Sequence, residues 1–515
     1  MADWLCETSG VTNDQVSIDQ MSSGDLEAPE DQSDVWARFR GPLSFVPAAL
    51  IWLFLYSAIL RTGGRFLYEE RFNIWQALDP QALAEEFWPS LLTLHIQPPL
   101  LNAMYGVTDG PDAPRNLGLL YALASLLTVL MVVHTIRLAG LRDVWAAVGG
   151  VLFALLPATV LYSLFPYSTT IVGFLAIGAV WGVALIRTRP TLGIIVSAIS
   201  TTCLFLSRAS FVWIFALCWL VALLIICLRR RGSQARVISL AVLACCGGLV
   251  VIVQAHYLIS FGTPTLSSWS GQNLFRALSY QALSPEAKTV LSLEDPCFAE
   301  LINRGQWQPA TTYPVCMAGT GVAISGTEAL DTLDKRSPGN GINFNNGQLL
   351  LLSKKWQALA NETLRVEPVS VWHLVVGDDS HEGSMGIFLG RSDVYDTTLD
   401  LQKTFAPWLW SLLGVWSAIF PKLAWVLVLL ALLRAVVDRR YRPPYSMVFW
   451  FASGLLLFHA IVSLVGEYGE NQRFRAETDP VLMVAAVLAV GTLMTWRRRG
   501  VPSSGVRPSG EEPVD

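Results

Sequence analysis

Six side chains have the types and spacing to do chemistry together. Glu69 and Glu70 follow a short polar stretch after the first apolar run. His95 stands just before the rigid pair Pro98-Pro99, while Arg208, Arg473 and Arg475 each flank the end of an apolar run. A positioned carboxylate can take a proton from a hydroxyl nucleophile. Guanidinium groups bind phosphate through a planar fork of N–H donors. Carboxylates with arginines therefore suit displacement of a phosphate leaving group. Each residue also has a bland reading. Glu69-Glu70-Arg71 fits a solvated helix edge, His95 a turn, Arg208 a snorkelling anchor, and the Arg473/Arg475 stretch an ion-paired cap.

The elements that must position these residues are membrane helices. Hydrophobic residues make up 53% of the 515 and charged residues 15%, well below the usual quarter. Mean hydropathy is +0.45. Uncharged runs long enough to cross a bilayer lie at Gly41–Leu60, Leu117–Ile136, Val144–Ser163, Thr169–Ile186, Ala209–Leu228, Val237–Ala255 and Ser446–Gly466. Thr191–Leu206 and Val481–Trp496 are shorter. Phe405–Ala435 reads as an interfacial Trp-rich piece, Pro407 to Trp410, followed by a span from about Pro421 to Arg434. The fold class expected is an α-helical polytopic membrane protein with about ten transmembrane helices. It has a long first outer loop, 61–116, and a mostly helical outer domain, 258–403, between spans seven and eight.

Charge orients these spans. Seventeen arginines fall in one set of alternate loops, including Arg137/Arg142, Arg187/Arg189, Arg229 to Arg231 and Arg497 to Arg499. Seven fall in the opposite short loops. The positive-inside rule makes the first set cytoplasmic, with both termini. The even span count implies the same independently. All six candidate residues then share the outer face. The division expected is a disordered cytoplasmic tail 1–40, a transmembrane module 41–257, the extracytoplasmic domain 258–403, a second module 404–497, and a tail 498–515. No basic-then-apolar signal peptide opens the chain.

Of eight cysteines, five lie in apolar runs, where they act as small hydrophobes, and Cys6 lies in the first tail. Cys297 and Cys316 share the outer segment, where the oxidising side favours a disulfide. No C-x-x-C or H-E-x-x-H spacing marks a metal site. The short cytoplasmic loops leave no room for a site on the inner face, and nucleic acid is not an expected partner.

Three stretches carry a family resemblance. The first outer loop has an acidic pair soon after span one and then His95-Ile-Gln-Pro-Pro-Leu100. The run Gly466 to Arg475, GEYGENQRFR, leads to Asp479-Pro480, and Arg208 lies in Leu206-Ser-Arg-Ala-Ser210. Together with the topology these resemble the membrane-embedded glycosyltransferases of the C superfamily. That group includes the protein O-mannosyltransferase and aminoarabinose transferase-like enzymes of glycosyltransferase family 39 type. Many relatives carry His-x-Pro-Pro-Leu; this chain has one residue more. The resemblance implies a polyprenyl-phosphate-linked sugar as donor and an acceptor hydroxyl on a glycan, lipid or protein. It implies Glu70 or Glu69 as base, and Arg473 with Arg475, Arg208 and His95 at the donor phosphate. No cofactor is certain, and a divalent metal is compatible with the chemistry. A secondary transporter, or a non-catalytic membrane protein with an outer binding domain, is the competing expectation. The spans carry few ionisable groups for transport.

Overall fold

The computed structural model describes residues 43–73, 77–229, 233–263, 265–304, 314–318, 347–369, 386–393, 400, 403–404, 407–437, 446–466 and 471–499. Among them every regular element is helical. The chain is a multi-pass membrane protein. Six helices are long and apolar enough to cross a bilayer, one bent pair passes the same test together, and three shorter apolar helices accompany them. These occupy the apolar runs expected from the sequence. The tail expected at 1–40 lies outside the described residues, as does everything beyond Arg499.

In chain order the principal helices are α1 (Val46–Arg61), α2 (Leu100–Thr108), α3 (Ala113–Leu138), α4 (Asp143–Ala154), α5 (Pro157–Leu161), α6 (Ser168–Leu185), α7 (Pro190–Ser207), α8 (Trp213–Leu228) and α9 (Ser233–Phe261). Next come α10 (Trp269–Phe275), α11 (Pro285–Glu294), α12 (Pro296–Arg304), α13 (Gly347–Val366), α14 (Pro407–Val437), α15 (Ser446–Gly466) and α16 (Asn471–Arg499). Proline opens α3, α5 and α7 in their first turn, where its missing N–H costs nothing.

Burial separates centre from rim. The most apolar window of α6 is 78% buried and that of α16 is 72%, whereas α9 is 22% buried. α6 and α16 therefore form the middle of the bundle, and α9 faces lipid. α7 lies tightly against α6. A Cβ on Gly193 would meet the Gly182 carbonyl oxygen at 2.6 Å, so the close approach requires glycine.

Three elements differ from the sequence expectation. The run Val144–Ser163 is not one straight span: α4 and the segment Pro157–Leu164 meet at 67°. Pro157 cannot donate to the helix ladder, and the chain turns where it stands. Pro407 to Trp410 is not a separate interfacial piece; it is the first turn of the 31-residue α14, which carries Pro421 within it. Arg473 and Arg475 are not on an extended loop, and Pro480 does not open a helix. All three lie in α16, which begins at Asn471.

The region between α9 and α14 forms its own apolar cluster, with Phe275, Phe298, Leu301 and Trp356 buried beside Leu94, Ile96 and Tyr105 of the first loop. Cys297 and Cys316 form a disulfide with Cα atoms 4.5 Å apart. Glu300 accepts the N–H groups of Val315 and Cys316 at 3.0 and 2.9 Å. Asp295 caps α12 by accepting from Cys297 N at 2.8 Å and Phe298 N at 3.3 Å, and its other oxygen meets Lys355 Nζ at 3.0 Å. Burial alone raises the Asp295 carboxyl, but the Lys355 hydrogen bond and the two backbone N–H groups outweigh it and hold the pKa below the usual value.

A depressed folded-state pKa stabilises the fold above the unfolded value, and that stability is lost as pH falls through the folded value. The full-length protein should thus lose thermal stability as pH drops below the ordinary carboxylate range. Asp295→Asn should be less stable at neutral pH, and its melting temperature should decline less over the same acid range. Equal acid slopes for variant and parent would remove Asp295 from the account.

Candidate functional site

The first turns of α16 hold an unusual set of residues for the centre of a bundle. Arg473 is 9% exposed, Arg475 1%, Glu477 0% and Asp479 3%. Helical register puts residues four apart on one face, and Arg475 Nε meets Asp479 Oδ1 at 3.1 Å in this way. The helix N-terminus adds positive potential at the same level.

Other elements bring partners to this end. Arg208 directly follows α7 and lies flat over Phe474, its guanidinium carbon 4.0 Å from the ring centre. Its Nε is 3.4 Å from Glu477 Oε1. His459 of α15 approaches the other Glu477 oxygen, Nε2 to Oε2 3.7 Å, and stacks near Phe211 at 5.1 Å. Arg473 lies between the rings of Tyr167 and Phe474, at 5.2 and 5.3 Å. Arg208 Nε and Nη2 and Arg475 Nη1 are buried with no hydrogen-bond acceptor among the described residues. Buried donors of this kind call for an acceptor-rich ligand or water.

A segment next to α14 locks the other side. Ser392 donates to Asp479 Oδ2 at 2.8 Å and accepts from Arg475 Nη2 at 3.0 Å, while Tyr162 donates to the Ser392 carbonyl at 3.1 Å. Asp393, fully buried, meets Arg391 Nη2 at 2.9 Å and accepts from Ser417 at 2.6 Å. The stretch around His381–Asp396 reads as irregular in sequence, and nothing there flags Ser392 or Asp393. Asp479 and His459 were also missed as members of the site, whereas Glu477 is one of the three glutamates expected to pair with an arginine of this stretch. The available signal was the Arg475/Asp479 spacing of four, which is visible only once the stretch is taken as helix. Glu467 and Glu470, the other expected arginine partners, lie outside the described residues.

Glu69 and Glu70 occupy a 3-10 turn, Tyr68–Asn73, with Glu69 exposed and Glu70 half-buried. That turn is tied to the bend after α5: Leu67 N donates to Leu164 O at 2.8 Å, and Tyr105 of α2 donates to Pro166 O. The same bend ends at Tyr167, beneath Arg473. The carboxylate-bearing loop and the arginines therefore share one scaffold. Arg71 turns away to Asp109 at 3.2 Å.

His95 goes elsewhere. It is fully buried, its Nδ1 lies 2.9 Å from Ser268 Oγ, and its carbonyl accepts from Ser268 N at 2.7 Å. Its ring packs on Phe261 at 5.6 Å. The His95–Gln97 stretch of the loop is thus pinned to the end of α9 and the residues just before α10.

An apolar cavity of about 430 Å³ lies among the neighbouring helices. α2, α3, α6 and α7 line it, through residues such as Met104, Leu127, Ile171 and Phe174. Its wall includes Ser207 and Ser168, the chain neighbours of Arg208 and Tyr167. Val107, Leu120 and Leu123 on its edge are exposed, so it opens toward the lipid-facing side. Among the described residues no group of three His, Cys, Asp or Glu side chains could hold a metal ion.

Removing one partner of a buried ion pair leaves an uncompensated charge, at a cost of about 3–5 kcal/mol. Arg475→Met should accordingly lower the melting temperature of the purified protein sharply. Arg475→Met combined with Asp479→Leu should recover much of the loss. A single variant as stable as the parent would show that the pair is solvated.

No family model matches the chain, and no curated protein does. Among solved structures, the chain is similar to the crystal structure of the Archaeoglobus fulgidus oligosaccharyltransferase in complex with zinc and sulfate, at 15% identity and a TM-score of 0.36. The alignment covers 88% of this chain and 50% of that one, so the chain spans about half the length of that structure.

Proposed function

We propose that the chain is a membrane glycosyltransferase that moves a sugar from a polyprenyl-phosphate donor to an acceptor hydroxyl at the outer face. The observation that carries this reading is a pairing: buried N–H groups of Arg208, with no acceptor among the described residues, stand one residue along the chain from Ser207 in the wall of an apolar, lipid-facing cavity. A prenyl chain fits the cavity by its chemistry. Its phosphate would then meet Arg208, whose chain neighbour Ser207 is in the cavity wall, and Arg473, whose ring partner Tyr167 is the chain neighbour of the wall residue Ser168.

The reaction is an inverting single displacement. The acceptor oxygen attacks the anomeric carbon as the bond from that carbon to the phosphate oxygen breaks. The lipid phosphate leaves with the bonding electrons, and the acceptor proton passes to Glu70 or Glu69. Developing charge on the leaving phosphate is answered by Arg473 and Arg208 through charge-assisted hydrogen bonds. Arg475, already held by Asp479 and Ser392, has Nη1 left to contribute. His95 is given a packing role rather than a phosphate contact, because Ser268 and Phe261 hold it. Both termini are cytoplasmic in this proposal.

Purified full-length protein should turn over at least one member of a panel of polyprenyl-phosphate sugars. Arg473→Lys keeps charge but loses the fork and should weaken donor use; Arg473→Ala should weaken it further, with little change toward acceptor. Glu70→Gln or Glu69→Gln should cut turnover by roughly a hundredfold or more. If both Gln variants keep parental rates, the base is elsewhere, with Asp79 next. Orientation is tested separately: Leu293→Cys, on exposed α11, should react with an impermeant thiol reagent from outside intact cells. Protection there would invert the topology.

A further inference from the structure

Glu477 sits where a phosphate-binding arginine would be expected to have its hands free. It is fully buried on a helix that fixes its backbone. One oxygen lies 3.4 Å from Arg208 Nε and the other 3.7 Å from His459 Nε2. Among the described residues, neither oxygen accepts a hydrogen bond and neither His459 ring nitrogen makes one. The carboxylate is suspended between two donors and committed to neither. Its backbone cannot shift, so side-chain rotation is its means of choosing between them. Arg208 is held flat by Phe474 and keeps Nη2 for another acceptor.

We propose that Glu477 is a positioning residue that competes with lipid phosphate for Arg208 and so promotes product release, with His459 as its alternate partner. This rests on the donor-phosphate reading above. While phosphate occupies Arg208, Glu477 turns to His459 Nε2, which needs only to carry its N–H. When the sugar has gone, Glu477 returns to Arg208 and displaces the lipid phosphate. The need follows from the setting. A phosphate bound by arginines in a low-dielectric site would otherwise leave slowly, since every attraction is amplified there. A carboxylate on the same arginine weakens substrate and product alike and limits how tightly product holds.

The two substitutions act with opposite signs, which no general loss of structure would do. Glu477→Gln keeps the shape and removes the competing charge. His459→Leu leaves Glu477 with Arg208 alone. Full-length protein in lipid nanodiscs would be titrated with farnesyl phosphate, and in a parallel arm with inorganic phosphate. Glu477→Gln should bind farnesyl phosphate about tenfold more tightly, the scale of removing one unit charge beside a partly buried anion. His459→Leu should bind it several-fold more weakly. Adding Arg208→Gln to Glu477→Gln should abolish the gain. In turnover, Glu477→Gln should lower donor KM and kcat together and sharpen inhibition by farnesyl phosphate. Inorganic phosphate should bind far more weakly than farnesyl phosphate in every variant. Parental protein that binds farnesyl phosphate normally, with Glu477→Gln unchanged or weaker, overturns this inference and leaves the donor reading standing. Parental protein that ignores farnesyl phosphate, or binds inorganic phosphate equally well, overturns the lipid-phosphate reading itself. If Glu477→Gln does not fold, an unchanged affinity in His459→Leu is sufficient to overturn the competition.

Discussion

A guanidinium group taken out of water loses several kcal/mol of hydration, and a protein keeps it buried only by answering both its charge and its N–H groups. Three such groups, Arg208, Arg473 and Arg475, meet at one end of this bundle. The rest of the architecture follows from meeting their demands. Asp479 and Ser392 bind Arg475, Glu477 and Phe474 flank Arg208, and Tyr167 faces Arg473. These partners come from α16, the residue just before α6 and the segment before α14, so ordering the cluster ties together much of the fold.

The bend at Pro157 is the second consequence. A straight helix would spend all its carbonyls internally. The segment after the 67° break ends at Leu164, which leaves the Leu164 and Pro166 carbonyls outside the helix ladder, and the first loop takes both, through Leu67 and Tyr105. Tyr162 in the same bend holds Ser392. One irregular stretch thereby positions the candidate carboxylates, the arginines and the end of the outer region relative to one another. Backbone that leaves helical geometry inside a bundle is tolerated where protein groups satisfy it, as they do here.

Hydropathy made the spans legible, because uncharged runs of bilayer length have few other uses. It failed where a helix carries its own polar cluster. The stretch Arg473 to Asp479 reads as a loop because four of its seven residues are charged, yet each charge has a buried partner or ring beside it in the folded chain. Pro480 reinforced the misreading, since proline usually opens a helix and here lies inside one. Pro407 to Trp410 misled in the same way: tryptophans suit an interface, but a helix starts there too. The break in Val144–Ser163 had only Pro157 to announce it. Partnerships across long separations, such as Ser392 with Asp479 or His459 with Glu477, leave no periodic trace in a single sequence. His95 shows another long-range partnership of this kind, its ring meeting Ser268 and Phe261 far along the chain.

The central claim is that a lipid phosphate binds at the outer end of α16. It is tested most directly by an experimental structure of the full-length protein in lipid with decaprenyl phosphate added. The account predicts phosphate density within hydrogen-bonding distance of Arg208 and Arg473. Chain density should continue between α2, α3, α6 and α7, past Met104 and Phe174. Phosphate density at any other site, with the Arg208–Glu477 contact unchanged and that cavity filled by ordinary bilayer lipid, would contradict it.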